Sequence, residues 1–367
     1  MSVQHPDAFV TYQLDRAHGL GTLSDDAATR LVAAAPRAAG VHGAATALAG
    51  VLEAEGRTTD AVGAARLAEF FAERPGPAQE AAYRRYVALW TAAFGADVER
   101  LEVPYGGGAL PTLRYRATGE ARATVLAFGG FDSLIHEFHP IWRGLAAAGF
   151  YVVAFDGPGQ GGARTLHGLV HTHDWERPIA AVLDHLGLER AAVLGMSMGG
   201  YWAVRAAAYE PRVAALVSWS PVYDWLARFP RPFGAFVRRM ATWRGFMNWS
   251  VRLRARAFPI LGHVVRQALW LSGGRAPVEA VDWMLGMNAG HVGSERVRVP
   301  TLLVVGERDR FQSPELGRLQ AAALTGAPVT TRGFTEAEGA AGHCQMGNLP
   351  LAIGEVAEWL RRTVARP

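Results

Sequence analysis

The 367-residue chain has an ordinary globular composition, since half of its residues are hydrophobic and 19% are charged. This balance excludes wholesale disorder, and the length fits one large domain with sizeable additions. The formal net charge is only +4, and all 37 basic residues are arginine. A mechanism that needs a catalytic lysine is therefore excluded, and no nucleic-acid partner is expected.

The chain contains one cysteine, Cys344, which has no second cysteine to form an intramolecular disulfide. This fits a reducing compartment. The N-terminus lacks a basic start followed by an apolar run, so no signal peptide is expected. No apolar stretch approaches the roughly 18 residues that span a bilayer. We therefore expect a cytoplasmic protein with no membrane partner.

Residues 1–98 are predicted to form a helical N-terminal region. One helix is indicated by apolar residues at helical spacing followed by a capping glycine: Tyr83, Val87, Trp90, Phe94 and then Gly95. A second, amphipathic helix is indicated by Val62, Leu67, Phe70 and Phe71.

From about residue 99 the pattern changes to short apolar runs alternating with helical segments. Strands are predicted at 112–117, 123–128, 150–155, 191–196, 213–219 and 301–305, and helices at 138–148, 176–188, 198–209, 314–325 and 350–364. Continuously apolar runs are typical of strands buried on both faces of a parallel sheet. The alternation predicts a doubly wound α/β core built from residues 99–220 and 299–367.

Residues 221–298 interrupt this alternation with no convincing strand. Residues 221–290 are rich in aromatic side chains and hold ten arginines against three acidic residues. A helical lid over a substrate cavity has this character, although most of its aromatic residues are expected to pack the lid onto the core. Tyr223 and Trp225, at its start, are candidate substrate-binding residues.

The strongest local motif is Gly195-Met196-Ser197-Met198-Gly199, which directly follows a predicted strand and precedes a predicted helix. This is the G-x-S-x-G nucleophile elbow in its required strand–turn–helix context. Ser197 is therefore predicted to be a nucleophile, at a helix N-terminus that favours developing negative charge.

A serine nucleophile needs a base and an acid that orients the base. In the α/β-hydrolase fold these follow the serine in the order acid, then histidine. His343 is the histidine that follows the strand at 301–305 and its acidic loop, so it is the predicted base. Asp309 is the favoured acid, with Glu307 and Asp224 as alternatives.

An oxyanion hole needs two backbone N–H groups. Met198, the residue after the nucleophile, is predicted to supply one. The second is assigned to Phe131, with Gly130 next, in the Gly129-Gly130-Phe131 loop that follows the strand at 123–128. The glycines there allow close approach of the backbone to substrate.

Three neighbouring histidines, His167, His171 and His173, have a spacing that suggests a metal. No third-ligand context or cysteine accompanies them, so a structural role is favoured and no metal or cofactor is expected. Cys344 is interpreted as a packed small residue, and Asp156 as a structural turn residue.

The segments GGFDSLIHEF, FDGPGQG, GMSMGG, GERD and GHCQMGN together resemble the α/β-hydrolases with an N-terminal helical region. That group includes 2,6-dihydroxypseudooxynicotine hydrolase and fungal polyketide chain-shortening hydrolases. The resemblance implies acyl transfer to water, with Ser197, Asp309 and His343 as triad. It also places Glu137 where the group's loop is often acidic, which makes Glu137 a candidate substrate-binding residue.

The sequence thus predicts a serine hydrolase acting on a bulky carbonyl compound, through the carbon–carbon bond of a β-diketone or polyketide-like substrate or through an ester. A cyclase or thioesterase of secondary metabolism is the alternative of the same chemistry. A ligand-binding scaffold without catalysis is the alternative of another class. A small-molecule substrate is the expected partner, and an acyl carrier protein and a second copy are further candidates.

Overall fold

The computed structural model describes residues 3–227 and 229–364. Five helices come first: α1 (Ala8–Gly19), α2 (Asp25–Ala34), α3 (Val41–Ala54), α4 (Thr58–Phe71) and α5 (Pro77–Phe94). Together with His136–Pro140 they form one of two compact units, Met1–Glu99 plus His136–Pro140. Asp7 and Ser24 cap α1 and α2 by accepting hydrogen bonds from backbone N–H groups.

The sequence signals for α5 and α4 have different outcomes. α5 begins with Pro77 at its first turn and ends at Phe94, with Gly95 as cap residue, as predicted. α4 is not amphipathic, because every residue from Ala61 to Phe70 is buried, including Arg66 and Glu69. A helix buried on all sides has no solvent-exposed polar face. The spacing of its apolar residues therefore did not indicate that its charged residues are buried as well.

The second unit, Arg100–Ile135 and Ile141–Pro367, contains the sheet. Its strands are β2 (Gly108–Tyr115), β3 (Thr124–Phe128), β4 (Tyr151–Phe155), β5 (Ala191–Met196), β6 (Val213–Trp219), β7 (Thr301–Gly306) and β8 (Val329–Phe334), and β1 (Glu99–Tyr105) joins them at the edge. The order is β1-β2-β4-β3-β5-β6-β7-β8. β2 runs antiparallel to β4, and the pairs from β4 to β8 are parallel.

Helices alternate with these strands, which confirms the predicted α/β class. They are α6 (His139–Ala147), α7 (Gly161–Thr165), α8 (Glu176–Leu186), α9 (Gly199–Tyr209), α15 (Pro314–Ala323) and α16 (Leu349–Thr363). All six residues of β5 are buried, because helices cover the sheet on both faces. The sequence signals missed β1 and β8, whose exposed and polar residues break the apolar run.

Between β6 and β7 the chain forms helices and no strand in its described part. They are α10 (Arg231–Ala241), α11 (Arg244–Ala257), α12 (Pro259–Ser272), α13 (Pro277–Gly286) and α14 (Ala289–Val292). Trp283 and Met287 join the buried core of the second unit. None of the described helices combines the length and apolar character that a bilayer span requires.

Candidate active site

Ser197 lies in the sharp turn between β5 and α9. Its φ of 58° falls in the left-handed region, which a non-glycine residue rarely adopts. The turn is so tight that a Cβ atom on Gly195 would overlap the carbonyl oxygen of Gly199. A Cβ on Gly130 would lie 2.8 Å from the Met196 carbonyl oxygen and 3.0 Å from the Met198 nitrogen. Glycine at these positions lets the loop after β3 lie directly against the turn.

A continuous chain of hydrogen bonds runs from Ser197 through His343 to Asp309. The Ser197 hydroxyl lies 3.0 Å from His343 Nε2, and His343 Nδ1 lies 2.8 Å from Asp309 Oδ2. In the neutral imidazole, a carboxylate at Oδ2 places the proton on Nδ1, which leaves Nε2 as acceptor for the hydroxyl. These distances are within the range for a nucleophile, a base and the group that orients the base.

The other candidate acids lie elsewhere. Glu307 Oε1 accepts a hydrogen bond from the Glu336 N–H on the surface. Asp224 accepts from the N–H groups of Leu226 and Ala289. Asp309 is buried, and its Oδ1 accepts from the N–H groups of Phe311 and Gln312, at 2.9 Å each. The structure thus brings Asp309, and neither rival, to His343.

The loop that carries His343 is held by two hydrogen bonds to residues at the end of β6. Cys344, next along the chain, has a φ of 51°, and its N–H donates to Ser220 Oγ at 3.1 Å. Gln345 Oε1 accepts from the Trp219 indole at 2.6 Å. Trp219 is the last residue of β6 and Ser220 follows it, so these two bonds fix the His343 loop relative to the sheet. Cys344 is buried, as expected for a packed residue, and its Sγ lies 3.5 Å from His343 Nε2.

Electrostatics at His343 favour the charged imidazolium. Burial acts to lower its pKa, but the side chains of Cys344 and Asp309 oppose burial and raise the pKa to about 10. The ordinary histidine pKa is near 6.5. His343 is therefore a stronger base than a free histidine, and its imidazolium loses the proton at higher pH.

The backbone N–H groups of Met198 and Phe131 have no protein acceptor among the described residues. The Gly130 N–H, in contrast, donates to Ser133 Oγ at 2.7 Å. The Gly130 N–H is therefore engaged within the protein, and Phe131, the donor favoured from sequence, stays the predicted second donor. The Phe131 ring packs against Trp283, with centroids 5.7 Å apart.

The peptide between Gly130 and Phe131 is held by Gln160, a residue of the DGPGQG segment. Gln160 Nε2 donates to the carbonyls of Gly130, at 2.8 Å, and Gly129, at 2.9 Å, while its Oε1 accepts from the Gly157 N–H. In a trans peptide the carbonyl and the next N–H point in opposite directions. A bond that fixes the Gly130 carbonyl therefore also fixes the direction of the Phe131 N–H.

Two further glutamines near the site were not identified from sequence. Gln312 Nε2 donates to Ser197 Oγ at 3.3 Å, and its Oε1 is buried with no partner among the described residues. Gln267, on α12, donates to the Phe131 carbonyl at 2.8 Å. Gln312 lies three residues after Asp309, a weak signal at most, and nothing in the sequence singles out Gln267.

The candidate substrate-binding residues have different environments. Tyr223 and Trp225 are partly buried and pack against the core of the second unit, and Trp225 Nε1 has no partner among the described residues. Glu137, in the helical unit, is buried with Arg16 and Arg66: its Oε1 lies 2.8 Å from Arg16 and its Oε2 3.1 Å from Arg66. These ion pairs occupy the Glu137 carboxylate, so the structure gives it a packing role in place of substrate binding.

The three clustered histidines have separate structural roles. His171 accepts from the Trp283 indole at 3.0 Å, and His173 Nε2 lies 2.9 Å from the Trp283 carbonyl. His167 pairs with Glu102 on the surface. Within the described residues no group of three or more histidine, cysteine or acidic side chains is placed to hold a metal. Asp156 accepts from the N–H groups of Ile135 and Gly162, as its structural interpretation requires.

Residues 119–338 match the family model Hydrolase_4, described as serine aminopeptidase, S33. Among curated relatives, hydrolase acrC of Aspergillus aculeatus is 35% identical over 253 residues, covering 58% of this chain and 56% of that protein. The 20-hydroxy-prefusarin hydrolase FUS2 of Gibberella moniliformis is 32% identical over 246 residues, covering 59% and 56%. The matches thus span just over half the length of these relatives.

Two solved structures share the fold over nearly the whole chain. The 2,6-dihydroxy-pseudo-oxynicotine hydrolase has a TM-score of 0.65 at 20% identity, with 95% of each chain covered. AbyA5 has a TM-score of 0.68 at 21% identity, covering 98% of this chain and 92% of its own. At this identity the likeness concerns the fold.

Proposed function

Because the chain belongs to the Hydrolase_4 (serine aminopeptidase, S33) family of α/β-hydrolases, we propose that it hydrolyses its substrate through an acyl-enzyme on Ser197. The observation that carries the proposal is the unbroken hydrogen-bond chain, with 3.0 Å between Ser197 Oγ and His343 Nε2 and 2.8 Å between His343 Nδ1 and Asp309 Oδ2. Serine, base and orienting acid are the three parts that this chemistry needs.

In the first half-reaction Ser197 Oγ bonds to the substrate carbonyl carbon as His343 Nε2 takes the hydroxyl proton. The resulting oxyanion accepts hydrogen bonds from the N–H groups of Met198 and Phe131. Asp309 keeps the imidazole in the required tautomer and stabilises the imidazolium. Collapse of the tetrahedral intermediate breaks the bond to the leaving group, which takes the proton from His343 and leaves Ser197 acylated.

In the second half-reaction water attacks the acyl group, His343 takes one water proton and then returns it to Ser197 Oγ. An alcohol or thiol leaving group is protonated on oxygen or sulfur. A β-diketone leaving group departs as an enolate, which His343 protonates on carbon. Gln312, with Nε2 3.3 Å from Ser197 Oγ and an unpartnered Oε1, is a candidate contact for a polar group of the substrate.

We assign the substrate to bulky carbonyl compounds of secondary metabolism. The aromatic packing of Phe131 on Trp283 and the buried indole donor of Trp225 support an apolar ligand with few polar groups. One relative is named for the hydrolysis of 20-hydroxy-prefusarin, and a solved structure of the same fold is named a 2,6-dihydroxy-pseudo-oxynicotine hydrolase. Both names are consistent with this class.

A fluorophosphonate probe tests the nucleophile. We expect the folded chain to be labelled on Ser197, and the Ser197→Ala chain to stay unlabelled. Labelling of the Cys344→Ala chain on Ser197 would exclude the Cys344 thiol as the labelled group. If the folded wild-type chain is not labelled, the hydrolase mechanism is wrong and the non-catalytic binding scaffold becomes the better description.

A substrate panel separates the reaction types. Aryl esters, acyl thioesters and β-diketones are compared, with products identified by mass. Diketone cleavage with little ester turnover supports the carbon–carbon reaction, and fast ester turnover with inert diketones removes it. A product of substrate mass minus a leaving group, with no water added, indicates the cyclase alternative.

A further inference from the structure

Helices α10 and α11, with the start of α12, expose a concentration of large apolar side chains. Of the thirteen large hydrophobic residues that are exposed in the described chain, nine lie between residues 229 and 260. They are Phe229, Phe233, Phe236, Trp243, Phe246, Trp249, Leu253, Phe258 and Ile260. Trp249 is 61% exposed and Phe236 59%. A concentration of large exposed apolar residues in one segment marks an interaction surface.

The spacing of these residues gives each helix one apolar stripe. On α10, Phe233, Phe236 and Met240 recur at intervals of three and four, while Arg231 and Arg238 lie on the opposite side. On α11, Phe246, Trp249 and Leu253 recur in the same way. We refer to the nine exposed apolar residues and the exposed arginines between residues 231 and 275 as the basic aromatic face.

The charge of this face is of one sign. Residues 225–278 contain ten arginines and no aspartate or glutamate, whereas the whole chain carries only +4. Seven of these arginines are exposed and form no ion pair with any described residue: Arg231, Arg239, Arg252, Arg254, Arg256, Arg266 and Arg275. Arg238 and Arg244 pair with Asp224 and Asp282, which lie outside the segment. The face therefore presents uncompensated positive charge beside exposed aromatic rings.

We propose that the basic aromatic face docks on an anionic lipid surface, with the apolar stripes of α10 and α11 inserted at the headgroup level. Helices that expose Phe, Trp and Leu together with arginine lie in the plane of a membrane interface. Each arginine near an anionic surface strengthens binding, and salt screens this contribution. Such attachment needs no spanning helix.

A second copy of the chain is a less suitable occupant. A two-fold contact through the same surface places the patch of one copy on the patch of the other. The seven exposed arginines that form no ion pair with a described residue then lie opposite the same seven of the other copy, which is unfavourable at an interface core. An anionic lipid surface supplies the missing negative charge and an apolar interior for the rings.

Vesicle co-sedimentation of the full chain tests the proposal. Vesicles of phosphatidylcholine alone are compared with vesicles containing phosphatidylglycerol, at low and high salt. We expect binding to the anionic vesicles only, and loss of binding at high salt. The charge-reversed chain Arg239→Glu/Arg252→Glu is expected to bind at least about tenfold more weakly. The chain Phe236→Ser/Trp249→Ser, which keeps the charge, is expected to lose binding as well.

The matched control is Arg361→Glu/Arg362→Glu, which reverses two exposed arginines on α16 and is expected to bind like wild type. Circular dichroism and thermal melting establish that each variant is folded. The proposal is overturned if wild type does not bind anionic vesicles, if the control loses as much binding as Arg239→Glu/Arg252→Glu, or if the aromatic variant binds normally. A dimer that the aromatic variant dissociates, without vesicle binding by wild type, would identify the face as an interface between copies.

Discussion

The side-chain amide of Gln160 makes three hydrogen bonds, and two of them hold the carbonyls of the loop that carries Phe131. Replacement by leucine removes these bonds and frees the peptide whose N–H we assign to the oxyanion hole. Loss of one oxyanion donor costs about 10²–10³ in kcat. We expect Gln160→Leu to lower kcat by about 10–100-fold with little change in KM.

Steady-state kinetics on an ester substrate check this, with Gln320→Leu as matched control. Gln320 is also buried, and its amide donates to Ser294 Oγ. Neither residue belongs to the loop that carries Phe131. Its replacement is expected to lower the melting temperature without a selective loss of kcat. Equal kcat losses in the two variants would assign Gln160 a general packing role.

The raised pKa of His343 gives a pH prediction. The proposed base acts as the neutral imidazole, so kcat/KM rises as pH rises through the pKa of the free enzyme. Since that pKa is shifted from 6.5 towards 10, we expect the ascending limb well above pH 6.5. Asp309→Asn removes one charge that raises the pKa and is expected to move the limb to lower pH. A wild-type limb at or below pH 6.5 would contradict the assignment.

At the scale of elements, the β5–α9 turn depends on the absence of a side chain at position 195. A Cβ there overlaps the Gly199 carbonyl and lies 2.9 Å from Ala203 Cβ. We expect Gly195→Ala to destabilise the fold by about 3 kcal/mol, at the upper end for overpacking. Gly50→Ala on α3 is the control, because a Cβ there meets nothing within 4 Å. It is expected to stabilise by up to about 1 kcal/mol.

Urea unfolding of both variants measures the difference, and fluorophosphonate labelling reports whether the turn still presents Ser197. A neutral Gly195→Ala would mean that the turn relaxes without cost, and the close packing inferred for the elbow would be wrong.

At the scale of the whole molecule, the helical unit is organised around buried charge. Arg66 lies between Glu69 and Glu137, at 2.6 Å and 3.1 Å, and Arg16 lies 2.8 Å from Glu137. Desolvation acts to lower the pKa of Arg66, but the carboxylates of Glu137 and Glu69 raise it, so the guanidinium stays charged. Removing one partner of such a network leaves an uncompensated buried charge.

We therefore expect Glu137→Gln to lower the free energy of unfolding of this unit by about 3 kcal/mol. Glu80→Gln is the matched control, because Glu80 pairs with Arg84 on the surface of the same unit. Exposed pairs contribute about 0–1 kcal/mol. Denaturant unfolding followed by far-ultraviolet circular dichroism checks both. Equal effects of the two substitutions would contradict the role of the buried network.

The sequence alone determined most elements of the α/β core and the chain order of the reacting groups. Apolar runs marked the buried strands, because a strand covered on both faces leaves a continuous signal, and the glycines around Ser197 marked the turn. It did not mark β1 and β8, whose exposed residues interrupt the run, or the buried state of α4, since periodicity reports a difference between faces.

Only the tertiary structure decided which groups meet. Chain order left Asp309, Glu307 and Asp224 as acids, and the fold brings Asp309 to 2.8 Å from His343. The Ser133 bond to the Gly130 N–H likewise favours Phe131 as the donor. Glu137, a candidate for substrate, was placed instead between two buried arginines. Such hydrogen bonds join residues far apart in sequence, so their partners depend on the packing of several elements, which no local pattern records.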